Sequence, residues 1–183
     1  FYEIHEAFAA TVLATLKAWE SEEFCRHKLG RDSALTRSIR AFAGFSRIIV
    51  TVAPQDMDRA LAEIAGPVVL VAGGETRSAS IRAALETLEG SDITHVLIHD
   101  GARPLVSDAV IRGVVDALRA GAQAAAPALP VSDALWRAEA GLVTAPAPRD
   151  GLFRAQTPQG FALDAILAAH RAHPEGAADD VEL

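Results

Sequence analysis

The sequence predicts an α/β fold: a doubly wound, mostly parallel sheet with helices on both faces and a protruding β-hairpin arm. Short apolar runs alternate with longer helix-like segments up to about residue 127. These runs are rich in β-branched residues and lack polar–apolar alternation, which is typical of strands buried on both faces. The alternation stops near Pro130, where two strand-like segments flank a short turn.

Each element is predicted from a local pattern. Residues 5–20 are predicted to form a helix because apolar side chains recur at helical spacing, namely Phe8, Val12, Leu16 and Trp19. Further helices are predicted, in chain order, over residues 32–43, 55–65, 77–88, 107–119 and 163–170. Strands are predicted over residues 46–52, 68–71, 94–98 and 122–127. Helix signals support two of these boundaries: Asp32 or Ser33 begins a helix that Gly44 ends, and Ser107 begins another.

The arm is predicted over residues 130–149, with strands at 131–136 and 141–145 around an Ala-Glu-Ala-Gly turn. Residues 156–160 are expected to form a compact loop. We expect residues 1–183 to form a single domain, because a chain of this length can bury a substantial core. The last residues show no pattern that ends a structural element, so we expect the chain to be a segment of a longer protein.

Composition narrows the class of function. Half of the residues are hydrophobic and the formal net charge is −7, with no run of lysine and arginine. We therefore expect neither nucleic acid nor a membrane surface as a partner. The apolar run at 67–72 is too short to span a bilayer, and no basic region opens a signal peptide. The single cysteine, Cys25, fits a reducing compartment, so a cytoplasmic location is expected.

The loops that follow parallel strands are the expected ligand-binding positions. Asp100 and Arg103 follow the strand at 94–98, where the carboxylate is suited to Mg²⁺ and the guanidinium to phosphate oxygens. The alternative is that Asp100 caps its own loop and Arg103 pairs with a surface carboxylate.

The loop at 73–80 joins a strand to a helix and contains two adjacent glycines. Glycines allow a ligand to approach the backbone, but Glu75 would repel phosphate, so a base or sugar fits better. A helix start capped by Thr76 is the alternative. The segment matches neither a Walker loop nor a dinucleotide fingerprint. Thr157 and Arg149 lie in other polar loops from which they can reach a phosphate.

Several motifs occur in a fixed order along the chain: Gly-Gly-x-x-Arg-x-x-Ser, Ile-His-Asp-Gly-Ala-Arg-Pro, Pro-Val-x-Asp, Arg-Asp-Gly-Leu-Phe-x-Ala-Gln-Thr-Pro-Gln-Gly-Phe and Asp-Asp. From about residue 41 to the end, the sequence resembles the 2-C-methyl-D-erythritol 4-phosphate cytidylyltransferase family of the non-mevalonate isoprenoid pathway. The resemblance implies a Rossmann-like nucleotidyltransferase sheet with a β-arm. It also implies homodimers in which interlocked arms complete each partner's site.

The resemblance implies transfer of CMP from CTP to the phosphate of a sugar alcohol, with Mg²⁺ as cofactor and pyrophosphate as leaving group. Asp100 is implied at the ribose and metal, beside Gly101, and Arg103 is implied as a phosphate ligand. The remaining implied substrate contacts are Gly74, Glu75 and Ser80 around the cytosine, Thr157 at the substrate phosphate, Asp133 at a substrate hydroxyl and Arg149 orienting the attacking phosphate.

The sequence departs from the family at several positions. Members begin with Ala-Ala-Gly-x-Gly-x-Arg and a following lysine, and nothing in residues 1–30 matches this loop. Alignment puts Phe24 at the lysine position, with Lys28 four residues later. Alanine replaces threonine at Ala134 and Ala178, and a late family lysine would fall beyond Leu183. A non-catalytic nucleotide-binding homologue and a related sugar-phosphate nucleotidyltransferase therefore stay open as alternatives.

Overall fold

The computed structural model describes residues 7–13, 28–29, 32–64, 66–177 and 179–183. In chain order the strands are β1 (Phe8–Leu13), β2 (Lys28–Leu29), β3 (Asp32–Ser33), β4 (Arg47–Val52), β5 (Val69–Ala72), β6 (His95–Asp100), β7 (Ala124–Ala125), β8 (Ala128–Pro130), β9 (Leu135–Glu139), β10 (Leu142–Ala147), β11 (Phe153–Ala155) and β12 (Gln159–Ala162). The α-helices are α1 (Ala34–Ala41), α2 (Met57–Glu63), α3 (Arg77–Glu86), α4 (Asp108–Arg119) and α5 (Leu163–Ala172), and 3₁₀ turns lie at Pro54–Asp56 and Asp180–Glu182.

The main sheet has the strand order β5-β4-β1-β6-β12-β7 among the described residues. The pairs β5–β4, β4–β1 and β1–β6 are parallel, whereas β12 runs antiparallel to both β6 and β7. Helices α1, α2 and α4 pack on one face, and α3 and α5 pack on the other. The predicted α/β class with a mostly parallel, doubly wound sheet is therefore confirmed.

Strand β1 corrects the predicted helix at 5–20. Its side chains alternate between two buried faces: Phe8, Ala10 and Val12 join one core cluster, and Ala9 joins the other. A central strand with apolar residues on both faces shows no alternation of polarity, so a short run of this kind resembles a helix. The spacing of four between Phe8 and Val12 suits a helix, but it also places both residues on one face of a strand. Residues 5–6 and 14–20 lie outside the described part of the chain.

The remaining predicted helices and strands are present with shifted ends. Ser33, Thr76 and Ser107 each cap a helix through a side-chain oxygen that accepts a backbone N–H, which stabilises the first turn. The expected loop at 156–160 is partly wrong, because β12 begins at Gln159 and pairs with β6. The strand expected at 122–127 is reduced to the two residues of β7.

The arm is a β-hairpin in which β9 and β10 form their own two-stranded sheet. Its turn contains Ala140 at φ 48° and Gly141 at φ 81°, the left-handed conformations that two-residue hairpin turns favour. Residues 131–134 are not strand, in contrast to the predicted start of the arm. Strands β8 and β11, which flank the hairpin in sequence, pair with each other as a second short antiparallel ladder. This ladder was not predicted.

Candidate active site

Asp100 ends β6 at the carboxyl edge of the sheet and pairs in register with Leu13, the last residue of β1. On the other side of β1 lies β4, so the winding direction of the chain reverses between β1 and β6. Crevices at such reversals are the usual ligand sites of open α/β sheets. The fold therefore places Asp100 at the position where a ligand is expected.

Arg103 folds back onto Asp100 in the turn after β6. Its backbone N–H donates to the Asp100 carbonyl over 2.9 Å, and its Nε donates to Asp100 Oδ2 over 3.2 Å. Arg103 Nη1 also donates to Gln156 Oε1, on the loop before β12. Since 40% of the Arg103 side chain is exposed, the guanidinium is held in place and still faces solvent.

Thr157 is joined to the same turn by two hydrogen bonds. The Asp100 N–H donates to Thr157 Oγ1 over 3.2 Å, and Thr157 Oγ1 lies 3.0 Å from Nδ1 of His99. His99 Nε2 lies 3.1 Å from the Arg103 carbonyl oxygen, which can only accept a hydrogen bond. His99 therefore carries its proton on Nε2, and the Thr157 hydroxyl donates to Nδ1.

His99 is fully buried and lies against the ring of Phe42, with 5.0 Å between ring centroids. Burial lowers the pKa of His99 to about 4, while its hydrogen bond to the Arg103 carbonyl and the Asp100 charge act in the opposite direction. His99 is thus neutral at physiological pH. In this state the Thr157 hydroxyl proton points to His99.

The loop between β5 and α3 is shaped by contacts that only glycine permits. An added Cβ at Gly74 would lie 2.5 Å from the Ala79 Cβ, and one at Gly73 would lie 2.7 Å from Ser80 Oγ. The Ser80 hydroxyl donates to the Thr76 carbonyl over 2.9 Å and accepts the Gly74 N–H over 3.1 Å. Ser80 therefore holds the loop against the first turn of α3, and Glu75 is exposed at its tip.

Two residues of the sequence motifs, Arg77 and Asp180, had no predicted role, and the structure connects them. Arg77 Nη2 lies 2.8 Å from Asp180 Oδ2 and 3.8 Å from Asp100 Oδ1. Arg77 thus links the glycine loop, the end of β6 and the last residues of the chain. The motif pattern was visible in the sequence, but pairing between such distant segments depends on tertiary structure.

The arm residues form a separate group. Arg149 Nη1 donates to the Ser132 carbonyl, next to Asp133, and both Arg149 and Asp133 are exposed. Within the described part of the chain, no hydrogen bond or ion pair joins this group to Asp100 or Thr157. The structure therefore assembles Asp100, Gly101, Arg103 and Thr157 as one cluster. Arg77 connects this cluster to the loop that carries Gly74, Glu75 and Ser80.

A cavity of about 560 Å³ opens beside Arg103, Gln156 and Thr157. Much of its wall is apolar and includes Leu105, Val110 and Leu129, all of which expose apolar surface. A volume of this order accommodates a small ligand. The polar cluster borders the cavity on one side, so the cavity suits a carbon skeleton whose charged end reaches Arg103.

No group of three or more His, Cys, Asp or Glu side chains in the described ranges could hold a metal ion by itself. Mg²⁺ is commonly bound by one or two carboxylates together with substrate phosphates. The Asp100 carboxylate, 26% exposed at the sheet edge, fits a role of that kind.

The fold and the site define an α/β protein whose candidate ligand site combines a carboxylate with cationic side chains at the carboxyl edge of a mostly parallel sheet. A family model described as IspD: 2-C-methyl-D-erythritol 4-phosphate cytidylyltransferase matches residues 17–183. The chain belongs to this family.

Relatives support the assignment. The chain is 76% identical over 155 residues to a bifunctional enzyme IspD/IspF of Paracoccus denitrificans, covering 85% of this chain and 41% of that protein. It is 58% identical over 149 residues to a 2-C-methyl-D-erythritol 4-phosphate cytidylyltransferase of Cereibacter sphaeroides strain KD131, covering 80% and 66%. The crystal structure of the cytidylyltransferase of the same name from Thermus thermophilus superposes with a TM-score of 0.77 at 29% identity, covering 94% of this chain and 80% of that one. The chain thus spans about two fifths to two thirds of the length of these curated relatives.

Proposed function

We propose that this chain transfers CMP from CTP to 2-C-methyl-D-erythritol 4-phosphate in the synthesis of isoprenoid precursors. An oxygen of the sugar-alcohol phosphate forms a bond to the α-phosphorus of CTP. The bond from that phosphorus to the bridging oxygen of the β-phosphate breaks, and pyrophosphate leaves. The product is 4-diphosphocytidyl-2-C-methyl-D-erythritol. The protein's tasks in such a reaction are positioning and stabilisation of charge.

The observation that carries the proposal is the cluster of Asp100, Arg103 and Thr157 at the switch point of the sheet, in a chain that belongs to this family. We assign Arg103 and Thr157 to the substrate phosphate. The loop residues Gly74, Glu75 and Ser80, together with Gly101, are assigned to the nucleoside. On the arm, Asp133 is assigned to a substrate hydroxyl and Arg149 to orienting the attacking phosphate.

Asp100 is the residue that would hold Mg²⁺, which supplies charge neutralisation on the phosphates when bound. The exposed guanidinium of Arg103 adds a fixed positive charge beside it. Arginine donors can also orient a phosphate, and in-line attack depends on such orientation.

The proposal includes a homodimer that uses the arm. Arg149 and Asp133 lie at the base of the arm and are exposed, which suits a site that the arm of a second copy completes. No helix in the described ranges is long and apolar enough to cross a membrane. We place the protein in the cytoplasm, and we take residues 1–183 as one nucleotidyltransferase domain, whether or not another domain follows as in the bifunctional relatives.

The test is release of pyrophosphate from CTP in the presence of Mg²⁺. Release is expected only when 2-C-methyl-D-erythritol 4-phosphate is also present, and ATP, GTP and UTP provide the control for base specificity. Binding of CTP by calorimetry without turnover would instead favour a non-catalytic homologue. Turnover with a different sugar phosphate or base would favour a related nucleotidyltransferase.

A further inference from the structure

A partly buried chain of polar contacts adjoins the candidate active site through Arg77. Its members are Ser78 and Arg77 at the start of α3, His170 in α5 and Asp180 in the last 3₁₀ turn. Ser78 Oγ lies 3.1 Å from His170 Nδ1, and His170 Nε2 lies 3.2 Å from Asp180 Oδ1. The side chains of His170 and Asp180 are 0% and 2% exposed, so this pair is enclosed by protein.

Arg77 lies between two carboxylates that differ in burial. The same nitrogen, Nη2, is 2.8 Å from Asp180 Oδ2 but 3.8 Å from Asp100 Oδ1. The Asp180 side chain is 2% exposed and that of Asp100 is 26% exposed. Attraction between charges is stronger where less water surrounds them, so the buried carboxylate dominates the position of the guanidinium.

The segment that carries Asp180 is itself anchored to the sheet. Gln159 Nε2, at the start of β12, donates to Asp179 Oδ2 over 2.8 Å. Asp179 Oδ1 accepts the Val181 N–H over 3.0 Å and so caps the 3₁₀ turn. Asp180 is therefore held at a defined position relative to β6 and β12, and it can act as a fixed anchor for Arg77.

We propose that Asp180 is a positioning residue that holds Arg77 back from Asp100 and so leaves the Asp100 carboxylate available to a divalent cation. His170 contacts Asp180 from one side, and Arg77 pairs with it from the other. Without the Asp180 charge, Arg77 would approach Asp100 and form a close ion pair there. The guanidinium would then compete with the cation for the same oxygens. This inference rests on the proposed function for the identity of the cation site, but its test requires no turnover.

The experiment measures binding of Mn²⁺ alone to the protein by electron paramagnetic resonance of the free ion. The Asp180→Asn variant keeps the side-chain size and is expected to bind Mn²⁺ roughly five- to tenfold more weakly than wild type, because Arg77 repels the ion from a shorter distance. The matched control is Glu89→Gln, which removes the exposed carboxylate that pairs with Arg171 of α5 at 2.8 Å. It is expected to leave Mn²⁺ affinity unchanged. Thermal unfolding of each variant separates loss of the fold from loss of the ion.

Variants that also carry Arg77→Gln test whether Asp180 affects Mn²⁺ by holding Arg77 in place or through its own charge. If Asp180 acts through Arg77, Arg77→Gln alone strengthens Mn²⁺ binding, and adding Asp180→Asn to it causes no further weakening. Equal weakening by Asp180→Asn in both backgrounds would overturn the positioning role, as would unchanged affinity in the single variant. Should Asp180→Asn fail to fold, unchanged or weakened Mn²⁺ binding by Arg77→Gln alone would overturn it. Failure of wild type to release pyrophosphate would reject the proposed function without affecting these outcomes.

Discussion

The Nδ1 atom of His99 lies 3.0 Å from the hydroxyl oxygen of Thr157, so the last residues of one strand are fixed to the loop before another. His99 belongs to β6, and Thr157 precedes the antiparallel strand β12. Through its other nitrogen His99 also reaches the Arg103 carbonyl over 3.1 Å. One buried imidazole thus sets the positions of two residues that we assign to the substrate phosphate.

Replacing His99 is expected to destabilise the fold. In His99→Leu, the buried Thr157 hydroxyl and the Arg103 carbonyl lose their shared partner. Each such loss typically costs about 1–3 kcal/mol, so the free energy of unfolding should fall by roughly 2–6 kcal/mol. Urea denaturation measures this change. The exposed His173 provides the control, since His173→Leu should stay within about 0.5 kcal/mol of wild type. Equal effects of the two substitutions would contradict the role of His99.

Stability should depend on pH through the same imidazole. Burial lowers the pKa of His99 in the folded protein to about 4, below its ordinary value of 6.5. Between these values the unfolded chain binds more protons than the folded one, so stability falls as the pH is lowered from about 6.5 to about 4. The His99 contribution lost over this range is about 3 kcal/mol. The measurement compares the pH dependence of unfolding in wild type and His99→Leu. Parallel curves would show that His99 is not responsible.

Gly74 is expected to tolerate no side chain. In Gly74→Ala the new Cβ would lie 2.5 Å from the Ala79 Cβ, so the loop must move away from α3. We expect stability to fall by about 1–3 kcal/mol and CTP to bind roughly tenfold more weakly, as calorimetry would measure. Gly113 in α4 has open space at its Cβ position. Gly113→Ala should therefore raise the free energy of unfolding by up to about 1 kcal/mol. A loss of stability in Gly113→Ala would show that replacing a glycine destabilises this protein even without a steric clash.

The arm residue Arg149 is expected to affect one substrate more than the other. Arg149→Ala should raise the KM for the sugar phosphate by about tenfold or more and change the KM for CTP little, because only the former loses a charged hydrogen-bond donor. Steady-state kinetics with each substrate varied in turn measures the difference. Arg137→Ala, on the neighbouring strand β9 of the same arm, serves as the matched control. Similar increases for both substrates in Arg149→Ala would reject the assignment.

Local patterns predicted the helices that have strong caps. Ser33 and Ser107 lie at the predicted helix starts and cap them in the structure, because capping depends only on neighbouring residues. Strand β1 was missed because its side chains are apolar on both faces. Strand β12 falls in a segment predicted as a loop, because its pairing partner, β6, is distant in the chain.

The contacts of the candidate site also divide into local ones, which the sequence indicates, and contacts between distant segments, which it does not. Asp100 and Arg103 are three residues apart and follow a predicted strand, so their contact could be anticipated from the sequence. The contact of Arg77 with Asp180 joins α3 to the last 3₁₀ turn, two segments that are distant in the chain, so it depends on tertiary packing. The family glycine loop has no match in residues 1–30 of the sequence, and most of these residues lie outside the described ranges.

The reversed direction of β12 has a consequence for protein engineering. Because this strand runs against β6, the loop that enters it begins at the edge where β6 ends, and Thr157 is delivered beside Asp100 from the opposite chain direction. A transplant of the Asp100–Arg103 turn into another parallel sheet would therefore leave out Thr157. The recipient sheet must also contain an antiparallel strand in the same register as β12 beside β6. The smallest unit that can be transferred is therefore the β6–β12 strand pair and not a single loop.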